Sequence, residues 1–463
     1  MSNSNAKFLT GAPMRHVAVM SATASIGLMA MFVVDFVDMI FISMLGNAAL
    51  AAAIGYAGSI LFFTTSFGIG IAIAAGALVA RALGSGDEVL ARSKASHALF
   101  YGVVLGAIFA AAVWFNVLTL VTLVGASGET AELAASYLRI IIPSLPILVA
   151  SIVASAVLRS HGAASSSMYV TILGGVVNAI LDPIFIFALD MNLAGAAWAS
   201  VAARIASASL SFYFLFKNHG GLEAPDRVGL LRDFSPVMVI AIPAILTQLA
   251  TPVGAAFATR AMAEFGEAAV AGMAVIGRLV PLAFGVVFAL SGAVGPIIGQ
   301  NYGAGQMDRV KRTFYDALLF IGAVVVVIAL ALFLLRDPIA SLFALEQGPA
   351  LALLYAFCGP LAILFYFNGA IFVSNAAFNN LGHPYYSTWI NWGRHTIGTI
   401  PFLYLGGMWF GPVGVLAGPY VGGVIFGLLG LALARRVMDQ SQDSESEVQT
   451  HQAHQLRLFH LRR

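Results

Sequence analysis

Twelve long apolar runs, parted only by short polar turns, take up most of this 463-residue chain. A helix needs about 20 mostly apolar residues to cross the hydrocarbon core of a bilayer. With charges, Gly/Pro clusters and polar turns as boundaries, the runs fall at 16–44, 52–80, 95–122, 134–158, 167–189, 194–216, 237–262, 268–298, 313–335, 348–378, 386–407 and 411–434. Strands of a membrane barrel alternate polar and apolar residues over about ten positions, whereas these runs are continuous. The expected fold class is therefore an all-α integral membrane protein with twelve transmembrane helices. Only 10% of the residues are charged, against about 25% in soluble domains, which excludes a soluble enzyme. The net charge of +2 gives no reason to expect a nucleic-acid partner. The single cysteine, Cys358, excludes an internal disulfide or a thiolate metal site.

Charge sets the orientation. With both termini cytoplasmic, fourteen Lys and Arg side chains fall on the inner side and three (Arg139, Arg260 and Arg336) on the outer, as the positive-inside rule requires. The expected organisation is a cytoplasmic N-terminal segment (1–15), six spans (16–216), a hydrophilic cytoplasmic linker (217–236), six further spans (237–436) and a polar cytoplasmic tail (437–463).

The two halves resemble each other. Residues 45–51 (LGNAALA) align with 265–271 (FGEAAVA), Gly84-Ser85-Gly86 with Gly303-Ala304-Gly305, and Ser155-Ala156-Val157 with Asn375-Ala376-Ala377, at an offset of 219 or 220 residues. Six spans is an even number, so the copies share one orientation and are related by an axis along the membrane normal. Parallel repeats of this kind recur in transporters, with substrate held near the midplane.

Ionisable residues within spans are functional hypotheses by default. Asp35 and Asp38 are three apart, on one face of the first span. Two such carboxylates in low dielectric do not both ionise easily. Asp182 sits in Asn178-Ala179-Ile180-Leu181-Asp182-Pro183. Asn178 shares its face one turn earlier, and Pro183 cannot donate to the carbonyl of Ala179. An offset of 220 brings Asp38 to Ala258 and Asp182 to Phe402, so the acids belong to the first half alone, as a single coupling site requires. Arg204, Arg278 and Arg394 also fall in spans and are expected to pair or cap. Phe365, Tyr366 and Asn368 in the tenth span are candidate cavity residues for a drug-sized substrate.

These residues carry a family resemblance. Asp38 through Gly46, an acid eight residues before a glycine, is similar to the first-helix signature of the multidrug and toxic-compound extrusion (MATE) transporters. Asn178 to Pro183 is similar to their fifth-helix signature, Gly195-Ala196-Ala197-Trp198-Ala199-Ser200 to the start of their sixth, and Gly299 to Gly305 to the turn after their eighth. Residues 10–435 resemble this family, and within it the branch named for the DNA-damage-inducible protein F. The resemblance implies a secondary antiporter that exports amphipathic or cationic organic compounds in exchange for protons, or sodium, from two six-helix lobes set in a V. It implies no cofactor, a bacterial inner membrane and a chain sufficient as a monomer among lipid. Carried over residue by residue, the coupling site is Asp38, Asn178 and Asp182, with Ser200 where relatives often have threonine. Val34 stands where some relatives have tyrosine, Asp35 is an added acid, and Thr251 stands where another branch carries an acid. The alternative function is a lipid-linked precursor flippase of the same superfamily, which would need extra spans and a basic central cavity to hold pyrophosphate. A major-facilitator transporter lacks support, because the basic loop after its second span is missing here. No HExxH, GxSxG or cysteine-nucleophile motif points to an enzyme.

Overall fold

In a computed structural model of the chain, the described residues are 6–45, 48–343, 345 and 347–460. Side chains are not described for Asp35, Met39, Ser43, Ala48 and 444–460. The described residues are helical, with no strand among them. The spans are α1 (Pro13–Met44), α2 (Ala48–Gly84), α3 (Glu88–Phe115), α4 (Gly128–Ser160), α5 (Ala164–Ala188), α6 (Asn192–His219) and α7 (Arg227–Ala263). Then follow α8 (Glu267–Ala283 and Gly285–Gly303, bent by 47°), α9 (Met307–Leu342) and α10 (Pro349–Leu364 and Tyr366–Asn380, bent by 40°). The remaining helical stretch, Pro384–Asp443, has 60 residues. At about 1.5 Å per residue that is roughly three times the thickness of a hydrocarbon core. It is two spans: Gly411, at φ +60°, reverses the chain between 400–410 and 412–460. A Cβ on Gly406 would lie 2.5 Å from the Gly414 carbonyl oxygen, and one on Gly418 would lie 3.0 Å from the Leu403 nitrogen, so the arms run antiparallel in direct backbone contact. Pro384–His395 with 400–410 is α11 and 412–460 is α12, which completes twelve spans.

The repeat is visible in the helix starts. Residues 48, 88, 128 and 164 open helices, and so do 267, 307, 349 and 384, which lie 219 to 221 residues later. One buried core gathers residues 53–241; another gathers residues from 258 onward with Phe8, Val17, Met20 and Ala164. Across the two halves, α1 packs against α8, and α2 packs against both α7 and its own counterpart α8.

This interface is tightest at one end. A Cβ on Gly84 would fall well under 3 Å from the carbonyl oxygen of Gln300, and one on Gly303 equally close to that of Arg81. Residues 81 and 84 of the first repeat correspond to 300 and 303 of the second, so the contact is reciprocal about the pseudo-twofold axis. Glycine is needed there because two helix backbones touch. The segment Lys7–Leu9 ties down the same end. Phe8 is buried, its N–H donates to Gln300 Oε1 (2.8 Å), and its carbonyl accepts from Arg309 Nη2 (2.9 Å). Gln300 Nε2 in turn donates to the Ser160 carbonyl (2.7 Å).

The hydrophilic stretch at 217–236 is not a loop throughout. Helix α6 runs to His219 and α7 begins at Arg227, where Asp226 caps the Gly229 N–H (2.9 Å). The charges that suggest a linker instead form the polar first turns of α7. Asp233, fully buried, accepts from Lys94 Nζ (2.7 Å), His97 Nδ1 (2.8 Å) and Arg232 Nε (3.0 Å) and so anchors α7 to α3. The polar tail continues helical to His460.

Candidate functional site

Helix α5 carries consecutive glycines that face two neighbours. A Cβ on Gly175 would lie 3.0 Å from Val34 Cγ2 of α1, while one on Gly174 would collide with Ser207 Oγ of α6. Without side chains at these positions the three helices close up, as small residues allow in membrane bundles. One turn further along α5, polar groups from all three helices meet. Asn178 Nδ2 donates to Asp182 Oδ2 (2.6 Å) and reaches both oxygens of Asp38 (3.4 and 3.5 Å). Ser200 Oγ donates to Asn178 Oδ1 at 3.5 Å. Asp38 and Asp182 are within hydrogen-bonding reach of each other. Asp182 is 1% exposed, and its Oδ1 has no partner among the described residues. Immediately after Pro183 the helix widens into a π-turn, Ile184–Ala188, that ends the span. Two carboxyls joined through one amide are chemically able to hold a proton or a small cation. Protonation of one lets it donate to the other, and losing that proton leaves two like charges at contact distance.

Of the candidate residues, Asp38, Asn178, Asp182 and Ser200 are thus brought together. Asp35 lies on the α1 backbone one turn beyond Met31, but its side chain is outside the described residues. The sequence gives no sign of Tyr137, a buried residue of α4 whose hydroxyl hydrogen-bonds Ser200 and which feels both acids. Arg204 caps, as expected, donating to the Ile141 carbonyl (3.1 Å) and Ser144 Oγ (2.8 Å), where α4 tightens into a 3-10 turn.

Between the halves lies a cavity of about 600 Å³, lined by α1, α2, α4, α5, α7, α8, α10 and α11. Phe365 and Asn368 line it. Tyr366 does not: it packs toward Gly322 of α9, because the bend at Phe365 turns that position away. Phe365 stacks on Phe284, the residue at the bend of α8 (4.0 Å between ring centroids), so the two bends support each other. Asn375, Asn379 and Asn391 add amides, and Asn391 donates to Asn375 Oδ1 at 3.3 Å. The asparagines at 368, 375 and 379 follow a helical stripe that was available in the sequence. Arg159, which the charge pattern places at the cytoplasmic edge, instead reaches into the cavity and donates to Ser167 Oγ (2.8 Å). Arg394 also lines the cavity. Its Nε has no hydrogen-bond partner among the described residues, so the expected pairing or capping is not seen for that atom.

Twelve helices in two repeats, closed around a central cavity with an acid pair inside one of them, define a membrane transporter. The chain belongs to the MatE family, which matches residues 24–184 and 243–405, one stretch in each repeat. A protein of Shewanella oneidensis named FAD transporter is 30% identical over 447 residues, covering 93% of this chain and 96% of that one. The multidrug export protein MepA of Staphylococcus aureus is 25% identical over 325 residues, covering 70% of this chain and 72% of that protein. Among solved structures, the outward-facing conformation of a multidrug resistance MATE transporter superposes with a TM-score of 0.87 at 21% identity, covering 96% and 99% of the two chains.

Proposed function

We propose that the chain is a secondary antiporter that expels amphipathic organic compounds across a bacterial inner membrane by alternating access, with protons as coupling ion and sodium as the alternative. The observation that carries this reading is the Asp38–Asn178–Asp182 constellation, set within one half with Asp182 buried, while the cavity lies between both. Helix α1 belongs to both sites: Ala24, Leu28 and Met31 line the cavity, and Asp38 lies two turns further on. A cation that neutralises the acid pair changes how α1 packs on α5, and α1 also packs on α8 of the other half. With positive charge inside, the end closed by Gly84, Gly303 and Phe8 is cytoplasmic, so the state described faces outward. Both termini are then cytoplasmic, and a single chain supplies both lobes. If the pair binds its proton a hundredfold more tightly in one state than in the other, the difference is worth about 2.7 kcal/mol. That is enough to shift the lobes' equilibrium a hundredfold.

The multidrug name of MepA supports amphipathic cargo. A second reading, a flavin dinucleotide as cargo, is favoured by the relative named FAD transporter. The expected cationic cargo finds no carboxylate among the described cavity residues. The test is uptake by purified protein in liposomes under an imposed pH gradient without sodium. Asp38→Asn and Asp182→Asn should each abolish gradient-driven movement while the protein remains folded. Full activity in both variants would refute the coupling site; activity that appears only with a sodium gradient would change the ion.

A further inference from the structure

We infer that the cargo of the central cavity is an aromatic organic anion, its phosphate or carboxylate held by Arg159 and Arg394 and its rings laid on Phe288, Phe365 and Phe372. This rests on the reading of the cavity as the transport site and specifies what that site recognises. The two guanidinium groups come from opposite halves, Arg159 from α4 and Arg394 from α11, and line one cavity of about 600 Å³. Among the described residues that lining contains no Asp or Glu, and neither arginine forms one of the described ion pairs. Among the described residues the Nε of each is without a hydrogen-bond partner, as are Oδ1 of Asn368 and of Asn380, which line the same cavity.

A positive charge in low dielectric is costly without a counter-charge and is kept where something supplies one. Here the counter-charge arrives with the ligand and leaves with it. The planar fork of a guanidinium matches the oxygens of phosphate or carboxylate in two parallel hydrogen bonds. His395, next to Arg394 in the sequence, also lines the cavity, and its Nε2 lies 3.5 Å from Thr251 Oγ1 of α7. The same cavity has an apolar aromatic cluster: Phe288 contacts Phe365 and Phe372, both with ring centroids 5.8 Å away. An organic cation would meet two like charges. The described carboxylates nearest in the sequence of α1 and α5, Asp38 and Asp182, are engaged with Asn178 and do not line the cavity.

The experiment holds the ring constant and varies the charge. Riboflavin, flavin mononucleotide and a carboxymethylflavin share one fluorescent ring system, and ethidium supplies an aromatic cation. Each is titrated against the purified full chain in nanodiscs, so that binding is read without any coupling gradient. Flavin mononucleotide should bind at least about tenfold more tightly than riboflavin, the gain from one charge-assisted hydrogen bond. The carboxymethyl compound shows whether any anion suffices or phosphate is required. Arg159→Gln and Arg394→Gln should each erase that advantage, and parent-like size-exclusion elution and thermal unfolding of the same preparations show that the variants are folded. Arg159→Lys should retain part of it. Equal affinity for riboflavin and flavin mononucleotide, no measurable binding of flavin mononucleotide, or an advantage that survives both Gln substitutions would each overturn the inference. So would tighter binding of ethidium than of flavin mononucleotide. Failure of proton-driven transport would refute the coupling reading and leave this binding discrimination intact, so the two failures are distinguishable.

Discussion

Replacing Gly303 by alanine puts a methyl group onto the backbone of the opposite repeat. The new Cβ would sit well under 3 Å from the Arg81 carbonyl oxygen, closer than real Cβ atoms come to anything. Relief requires the ends of α2 and α8 to part by about 1.5 Å, since carbon contacts are comfortable only near 3.5 Å. Overpacking of this sort costs about 1–3 kcal/mol, and the upper figure applies because both sides are main chain rather than a flexible side-chain tip. If the contact exists only when the cytoplasmic end is closed, the whole cost falls on the outward-facing state. A penalty of about 3 kcal/mol is a shift of more than a hundredfold toward the inward-facing state. Single-cysteine labelling reads this directly. Cys358 is fully buried and is the only cysteine, so Cys358→Ala with a reporter cysteine at the cavity residue Gln248 gives a clean background. An impermeant maleimide should label the parent from outside and Gly303→Ala from the cytoplasmic side. Gly84→Ala should do the same, because it makes the reciprocal contact with Gln300. Gly58→Ala, whose Cβ meets nothing within 4 Å, should leave labelling unchanged. Parent-like labelling of both interface variants, with normal folding, would refute the closure that these glycines are argued to form.

Other expectations follow from the same end of the molecule. Asp233→Asn leaves Lys94 and His97 without their buried carboxylate, and removal of one partner from such a group costs about 3 kcal/mol; thermal unfolding in detergent should fall clearly, and Asp226→Asn, at an exposed cap, should do less. His161, in the turn between α4 and α5, stacks on His219 (4.4 Å between ring centroids), and burial with that neighbour holds it down at about 3. The unfolded chain therefore takes up a proton that the folded one refuses, so stability should fall as pH drops below about 6.5. His161→Phe should flatten that acid slope in melting curves taken between pH 7 and pH 5. Phe8→Ala removes a buried aromatic at the closed end of the lobe interface, a loss of about 3 kcal/mol or more, and on the proposed orientation should raise cytoplasmic labelling in the Gln248 reporter assay.

Span number, repeat and acid positions are local or periodic properties, and the sequence determined them. Hydrophobic length counts helices, the 219–220 offset exposes the duplication, and an acid in an apolar run stands out because a bilayer penalises it. Grouping Asn178 with Asp182 needed only one helical turn. Their meeting with Asp38 depended on Gly174 and Gly175 drawing α1 and α6 onto α5, which a linear pattern does not display. The hydrophilic residues at 227–236 read as a linker because their compensation is remote in sequence: Asp233 finds Lys94 and His97 nearly 140 residues away. The same holds for the cavity. Arg159 and Arg394 lie more than 200 residues apart, and only packing of the halves brings both to the lining of one cavity. Tyr366 is the converse case: it is adjacent to Phe365, but the bend sends it toward α9. Local sequence fixes which groups are expensive to bury, whereas the tertiary fold decides which of them face each other, because electrostatic and hydrogen-bond partnership depends on distance in space rather than along the chain.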